Sequence, residues 1–191
     1  MKQTRILSSH AYELVYKALG EYSGNYLEIG VFNGAGFYKV AIDCPNKKCY
    51  AIDPFIEDGC TMGISLVEKN QKLNSQHSST VEHLNGVDNA ELFVMTSHAF
   101  RHNLTQEQIV DMGISTILID GDHSYECVVN DYQLALELIG TQAGGIIFDD
   151  VHWPPVLQAF NEFCEANQHR IISSNDKIQI DQAILVKLGP L

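Results

Sequence analysis

The chain has 191 residues, 45% of them hydrophobic and 19% charged, which suffices for one domain with a full core and is short for two. Twelve Lys and Arg against 24 Asp and Glu give a formal net charge of −12; contact with a phosphate backbone rests on basic side chains, so the balance argues against a nucleic-acid partner. No apolar run approaches the roughly 18 residues that a membrane span needs.

The opening MKQTRILSSHAYELVYKALG is too polar for a signal-peptide core and reads as a leading amphipathic helix over residues 1–22. A cytoplasmic protein is the expectation. Five apolar runs follow, each closed by a polar residue: NYLEIG (25–30), CYAIDP (49–54), LFVMTS (92–97), TILIDG (116–121) and GIIFDD (145–150). The stretches between them carry helical periodicity, as in YECVVNDYQLALELIG, where Val128, Tyr132, Ala135 and Leu138 share a face. Strands alternating with helices predict βαβ units and a parallel sheet buried on both sides. Residues 55–79 break the pattern with Gly59, Gly63 and many polar side chains, which predicts a lid or substrate loop. The last third predicts a helix over roughly 155–167, then strands RIISS (170–174) and AILVKL (183–188) as an antiparallel hairpin at the sheet edge. Five cysteines, Cys44, Cys49, Cys60, Cys127 and Cys164, form no C-x-x-C pair and no zinc spacing, so they read as reduced thiols.

The acids fall at strand ends. Glu28 closes the first strand, Asp53 the second, Asp120 the fourth, and Asp149 with Asp150 the fifth. In a parallel sheet these ends share one edge, where ligands bind. Helix caps would explain one or two of these carboxylates, not the set.

The turn after the first strand, Glu28 to Gly36, holds Gly30, Asn33, Gly34 and Gly36. Glycine lets backbone approach a ligand, and a helix start offers free N–H groups. Asp53 is placed to accept hydrogen bonds from ribose hydroxyls. These parts suit an adenosine-bearing cofactor; a purely structural glycine turn capped by an acid is the competing reading. The spacing G-x-x-x-G-x-G also resembles the NAD(P) turn of short-chain dehydrogenases, but none of the eight tyrosines has a lysine four residues later.

Asp120 and the Asp149–Asp150 pair end strands taken as neighbours. Like charges together are costly to bury, and a hard divalent ion such as Mg²⁺ relieves that cost. Asp150 as a cap for the next helix is the alternative. His123 follows in the same loop, and its ordinary pKa of about 6.5 suits a general base; it also fits a plain hydrogen-bonding role beside two acids. Asp122 either orients that imidazole or serves as the base.

Glu28-x-Gly30-x-x-x-Gly34, with Asp53 at the second strand's end, resembles class I S-adenosylmethionine methyltransferases. Ile119-Asp120-Gly121-Asp122-His123-Ser124-Tyr125, followed by Gly144-Gly145-Ile146-Ile147-Phe148-Asp149-Asp150, is similar to the macrocin and aminocoumarin sugar O-methyltransferases, from about Tyr26 to Glu165. The resemblance implies an α/β, Rossmann-like class I methyltransferase fold: one domain, a seven-stranded and mostly parallel sheet of order 3-2-1-4-5-7-6, the last strand antiparallel, helices on both faces. It implies S-adenosylmethionine contacts at Glu28, Gly30, Asp53 and near Ser97, joined by Asn33 and Gly34 of the turn and by Asp120. It implies Mg²⁺ ligands at Asp120, Asp149 and Asp150, and a base at His123 or Asp122. The expected activity is methyl transfer to a hydroxyl of a small molecule, a sugar or other vicinal diol, with Trp153 or Phe55 against the acceptor. The sugar-modifying relatives are usually longer, so the acceptor follows less directly than the transfer. A homo-oligomer is compatible with all of this. Two rivals are a silent nucleoside-binding domain, which needs no aspartate triad, and a metal-dependent hydroxylase using His123 and His152.

Overall fold

The computed structural model describes residues 10–55, 66–171 and 174–191. Their strands are β1 (Asn25–Ile29), β2 (Cys49–Ile52), β3 (Ala90–Phe93), β4 (Ile114–Ile119), β5 (Gly144–Phe148), β6 (Lys177–Ile180) and β7 (Ala183–Leu188). They form one sheet of order β3-β2-β1-β4-β5-β7-β6, with β1 to β5 parallel and β7 antiparallel to both neighbours. That is the expected order. The helices are α1 (His10–Glu21), α2 (Ala35–Asp43), α3 (Leu66–Leu84), α4 (Ser97–Asn103), α5 (Gln106–Met112), α6 (Tyr125–Ile139) and α7 (Pro154–Ala166).

Alternation along the strands feeds two cores. Leu27, Ile29, Ile117, Ile119, Ile146 and Phe148 join side chains of α6 and α7 such as Leu134 and Phe163. Tyr26, Ala51, Leu118, Ile147 and Leu185 join Leu14, Val15 and Ala18 of α1 and Phe37 and Val40 of α2. Glu28 shares Tyr26's parity and so lies on the α1–α2 side.

Register aligns the strand ends. Ile29 pairs with both Ile52 and Ile119, and Ile119 pairs with Phe148. The ladder runs one residue further, with Gly30 N donating to Ile52 O (2.9 Å), Asp120 N to Ile29 O (2.9 Å), Asp149 N to Ile119 O (3.1 Å) and Asp53 N to Phe93 O (3.2 Å). Asp53, Asp120 and Asp149 therefore leave the sheet in one row.

Two expectations need correction. Residues 66–84 are helix α3 rather than loop, and the rest of the expected lid, 56–65, lies outside the described residues. The hairpin's first strand is Lys177–Ile180, not RIISS. Arg170 instead sits in a turn, its Nε donating to Gly189 O (3.0 Å) and its Nη2 to Gln142 O (2.6 Å), while residues 172–173 lie outside the described set. On α6, Val128, Ala135 and Leu138 are buried and Tyr132 packs partly buried against the same core, as expected, and Asp131, Leu134 and Ile139 are buried with them. Of the leading helix, residues 1–9 also lie outside the description. Among the described residues no helix is long and apolar enough to cross a membrane.

Candidate active site

The glycine turn joins β1 to α2. Gly30 has φ +86°, and a Cβ there would lie 2.1 Å from the Asp120 carbonyl oxygen; only glycine allows β1 and β4 to separate this closely. Gly34 stands at the N-cap of α2 in left-handed backbone, φ 75°. Asn33 Oδ1 accepts from Ala35 N (3.2 Å), and Asn33 O contacts His83 Nδ1 (3.2 Å) on α3. Phe32, between them, is 60% exposed.

The two acids of this half already have protein donors. Asp53 Oδ2 accepts from Val31 N (2.9 Å) and Phe32 N (3.1 Å), and its Oδ1 accepts from Phe55 N (2.7 Å). Oδ2 already meets two donors and Oδ1 one, so ribose recognition would fall on the remaining lone pair of Oδ1 and add to these bonds rather than replace them. Glu28 is buried, with Tyr12 Oη donating to Oε1 and Tyr26 Oη to Oε2, both at 2.7 Å. Burial pushes its carboxyl up from 4.5 to about 7, against the pull of the two phenols.

The β4–β5 half is built differently. Asp120 is driven well above the ordinary aspartate range, first by burial and then by the charges of Asp149, Glu28 and Asp150. Asp149 is raised as well, mainly by burial. Asp149 Oδ1 accepts the N–H of Asp150 (2.8 Å), which adopts left-handed backbone at φ 53°. Asp150 does not cap α7: Trp153 holds the N-cap position, without a side-chain cap bond. The Asp150 carboxylate instead has His123 Nε2 3.3 Å from Oδ2 and His152 Nδ1 3.6 Å from Oδ1. His123 Nε2 is itself buried with no hydrogen bond of acceptable geometry.

Asp120, His123 and Asp150 each bring one ligand atom within 4.8 Å of the other two, the sole such group among the described residues. Two carboxylates and an imidazole suit a divalent cation, and the unpartnered Nε2 with the crowded acids around it fits one. Asp149, expected as a ligand, stands beside this group rather than in it. Asp122 Oδ1 accepts from Ser124 N (2.7 Å) and so shapes the entry to α6. The Trp153 ring lies 5.6 Å from that of His123 and is 43% exposed, whereas Phe55 is buried against His77.

Sequence reading missed two residues here. Asp131 is buried on α6, where Asn130 Nδ2 donates to it (3.2 Å) and to Ser97 Oγ (3.1 Å); burial pushes its carboxyl up to about 6. The signal was an acid three residues after Val128, on the apolar face. Tyr12 left no such signal, since its contact with Glu28 spans 16 residues.

A seven-stranded sheet in this order, a glycine turn after β1 and acids in a row at the carboxyl edge define a Rossmann-like class I methyltransferase fold. A family model described as "Methyltransferase domain" matches residues 27–151, and the chain belongs to that family. Solved structures agree in fold. TomG from Streptomyces achromogenes, an O-methyltransferase of tomaymycin synthesis in complex with SAM, is 17% identical, with 95% of this chain and 80% of that one covered at a TM-score of 0.62. CalS11, a TDP-rhamnose 3′-O-methyltransferase of calicheamicin biosynthesis, is 12% identical, with 94% and 79% covered at 0.57. The SAH-bound Podospora anserina methyltransferase PaMTH1 is 11% identical, with 95% and 78% covered at 0.59. Uncharacterized protein R132 of Acanthamoeba polyphaga mimivirus is 30% identical over 147 residues, 72% of this chain; the match spans 58% of that protein's length.

Proposed function

We propose that the chain is an S-adenosylmethionine-dependent O-methyltransferase acting on a hydroxyl of a small molecule, a sugar or other vicinal diol, with help from a divalent cation. The observation that carries this reading is the shared edge: a glycine turn braced by Asp53, and the group Asp120, His123 and Asp150, one residue row apart. The glycine turn and the start of α2 would hold the adenosine and amino-acid parts, with Asp53 toward the ribose. In the transfer the sulfonium S–CH₃ bond breaks as an O–CH₃ bond forms, the hydroxyl proton departs, and S-adenosylhomocysteine is left. Holding the two reactants in line supplies much of the acceleration.

Asp120 and Asp150 would hold the cation, which when bound lowers the pKa of a chelated diol and fixes its orientation. Trp153 offers the exposed ring beside that position. Of the two bases that the loop offers, Asp122 has one oxygen on Ser124 N–H and the other to spare, while His123 Nε2 points at Asp150. The similarity of the Asp120–Tyr125 run to the sugar-modifying group supports a diol acceptor. His152, the second imidazole that a ferrous hydroxylase would use, is exposed and falls outside the group of three.

Calorimetry with S-adenosylhomocysteine, in the presence and absence of Mg²⁺, tests the reading. Nucleoside binding together with cation-dependent methylation of a diol supports it. Binding without any turnover favours the silent domain, and no nucleoside binding removes the proposal.

A further inference from the structure

Resting on that reading, we infer that His123 is a ligand of the cation, and that the site is a mixed nitrogen and oxygen site taking a first-row transition ion such as Mn²⁺ in preference to Mg²⁺. Three observations converge. The ligand atom of His123 belongs to the same 4.8 Å group as Asp120 and Asp150. Its Nε2 is buried and unpartnered, facing Asp150 Oδ2 at 3.3 Å. A neutral imidazole would meet that carboxylate lone pair to lone pair unless a proton or a cation stood between them. The third oxygen donor that an all-carboxylate Mg²⁺ site would need, Asp149, is not part of that 4.8 Å group.

Mg²⁺ dehydrates reluctantly and is served by oxygen, whereas imidazole suits the transition ions, whose affinities rise along the series from Mn²⁺ to Cu²⁺. Trp153 packs against the His123 ring and so helps to fix the direction of the nitrogen, as the neighbours of a metal-binding histidine commonly do. One lone pair cannot both hold a cation and take a proton. The assignment therefore leaves the base role to Asp122.

The full chain, stripped with EDTA, is titrated with MnCl₂ and with MgCl₂ by calorimetry, and the Mn²⁺ form is examined by electron spin-echo spectroscopy. Mn²⁺ is expected to bind about 100-fold more tightly than Mg²⁺, with the ¹⁴N modulation of a directly bound imidazole. His123→Ala should abolish the modulation and cut the Mn²⁺/Mg²⁺ preference at least about tenfold, whereas His152→Ala keeps both. His123→Asn, which offers an amide oxygen in the same place, should also lose the modulation. S-adenosylhomocysteine affinity within about twofold of wild type shows that the variants are folded. Mn²⁺ bound without ¹⁴N modulation, or a modulation that survives His123→Ala, overturns the inference and leaves the methyltransferase reading standing. Failure of both ions to bind overturns the inference and the cation's role together. Loss of nucleoside binding alone, with the nitrogen signature present, removes the methyltransferase reading and leaves the mixed-donor site.

Discussion

The two halves of the site treat the same functional group in opposite ways. Around β1 and β2 each carboxylate is met by donors from the protein: two phenols on Glu28, three backbone N–H groups on Asp53. Around β4 and β5 the donors are fewer, one backbone N–H on Asp149 and two nearby imidazoles beside Asp150, and the carboxyls of Asp120 and Asp149 are raised by burial first and by neighbouring acids after it. A buried acid with donors is a structural part. A buried acid among acids is costly, and on the function proposed above a bound cation would offset that cost. The first half is thus finished on folding, whereas the proposed cation would finish the second.

The sharpest way to break this contrast is to make the same change on both sides. Asp150→Asn should lower methyl transfer about 1000-fold, equivalent to about 4 kcal/mol. Nucleoside affinity should stay within about twofold, and the cation-free protein should melt at a higher temperature because a repelling charge is gone. An equal or lower melting temperature would show that the acids of this half are satisfied after all.

Glu28 gives the next largest effect. Its carboxyl rises from 4.5 to about 7 on folding, so between those values the folded chain holds a proton that the unfolded chain has lost. Stability is full below about pH 4.5 and falls as pH climbs through 7, by up to about 3 kcal/mol. Urea unfolding at pH 5 and pH 8 measures the fall. Glu28→Gln should remove its share of that slope, and an unchanged slope would contradict the buried, proton-holding Glu28.

Much of this architecture was legible because it follows from local patterns. Short apolar runs ending in acids marked β1, β2, β4 and β5, and the register then aligned those acids. What stayed hidden was set by tertiary contact. RIISS has the β-branched, apolar look of a strand, yet Arg170 is pinned to two carbonyls, and the alternating KIQI pairs with β7 instead. The stretch forming α3 is rich in Ser, Asn and Gln, so its periodicity is faint, and the buried Thr80 packs on the glycine turn. His123 read as a base from its ordinary imidazole pKa and its place in the loop after β4, and its contact with Asp150 could not be seen there. Its nearness to Asp150 arises from β4 and β5 lying side by side.

Asp53→Asn is the counterpart of Asp150→Asn and should act in the opposite direction on stability. An amide NH₂ would face one of the three N–H donors, leaving it unpaired at a cost of about 1–2 kcal/mol. Cofactor affinity should fall about tenfold, since a looser turn must be ordered on binding. Thermal melts of the two Asn variants side by side provide the check, and a shift of the same sign in both would erase the distinction between the halves.

Tyr12 is the smallest and most discriminating case, because it touches both halves. Its hydroxyl donates to Glu28, while the charges of Asp120 and Asp149 also help to raise its pKa, behind burial and Glu28 itself. Tyr12→Phe should cost about 1 kcal/mol. It should also push the Glu28 carboxyl higher, since a donor that favoured the charged form is lost, and so carry the pH-dependent fall to higher pH. Combined with Glu28→Gln, the two losses should be clearly less than additive; combined with Asp150→Asn, the loss from Tyr12→Phe and the gain from Asp150→Asn should add to within about 0.5 kcal/mol. Strong coupling to Asp150 instead would mean that the phenol transmits charge from the crowded acids to the glycine turn, and that the two halves respond as a single electrostatic unit.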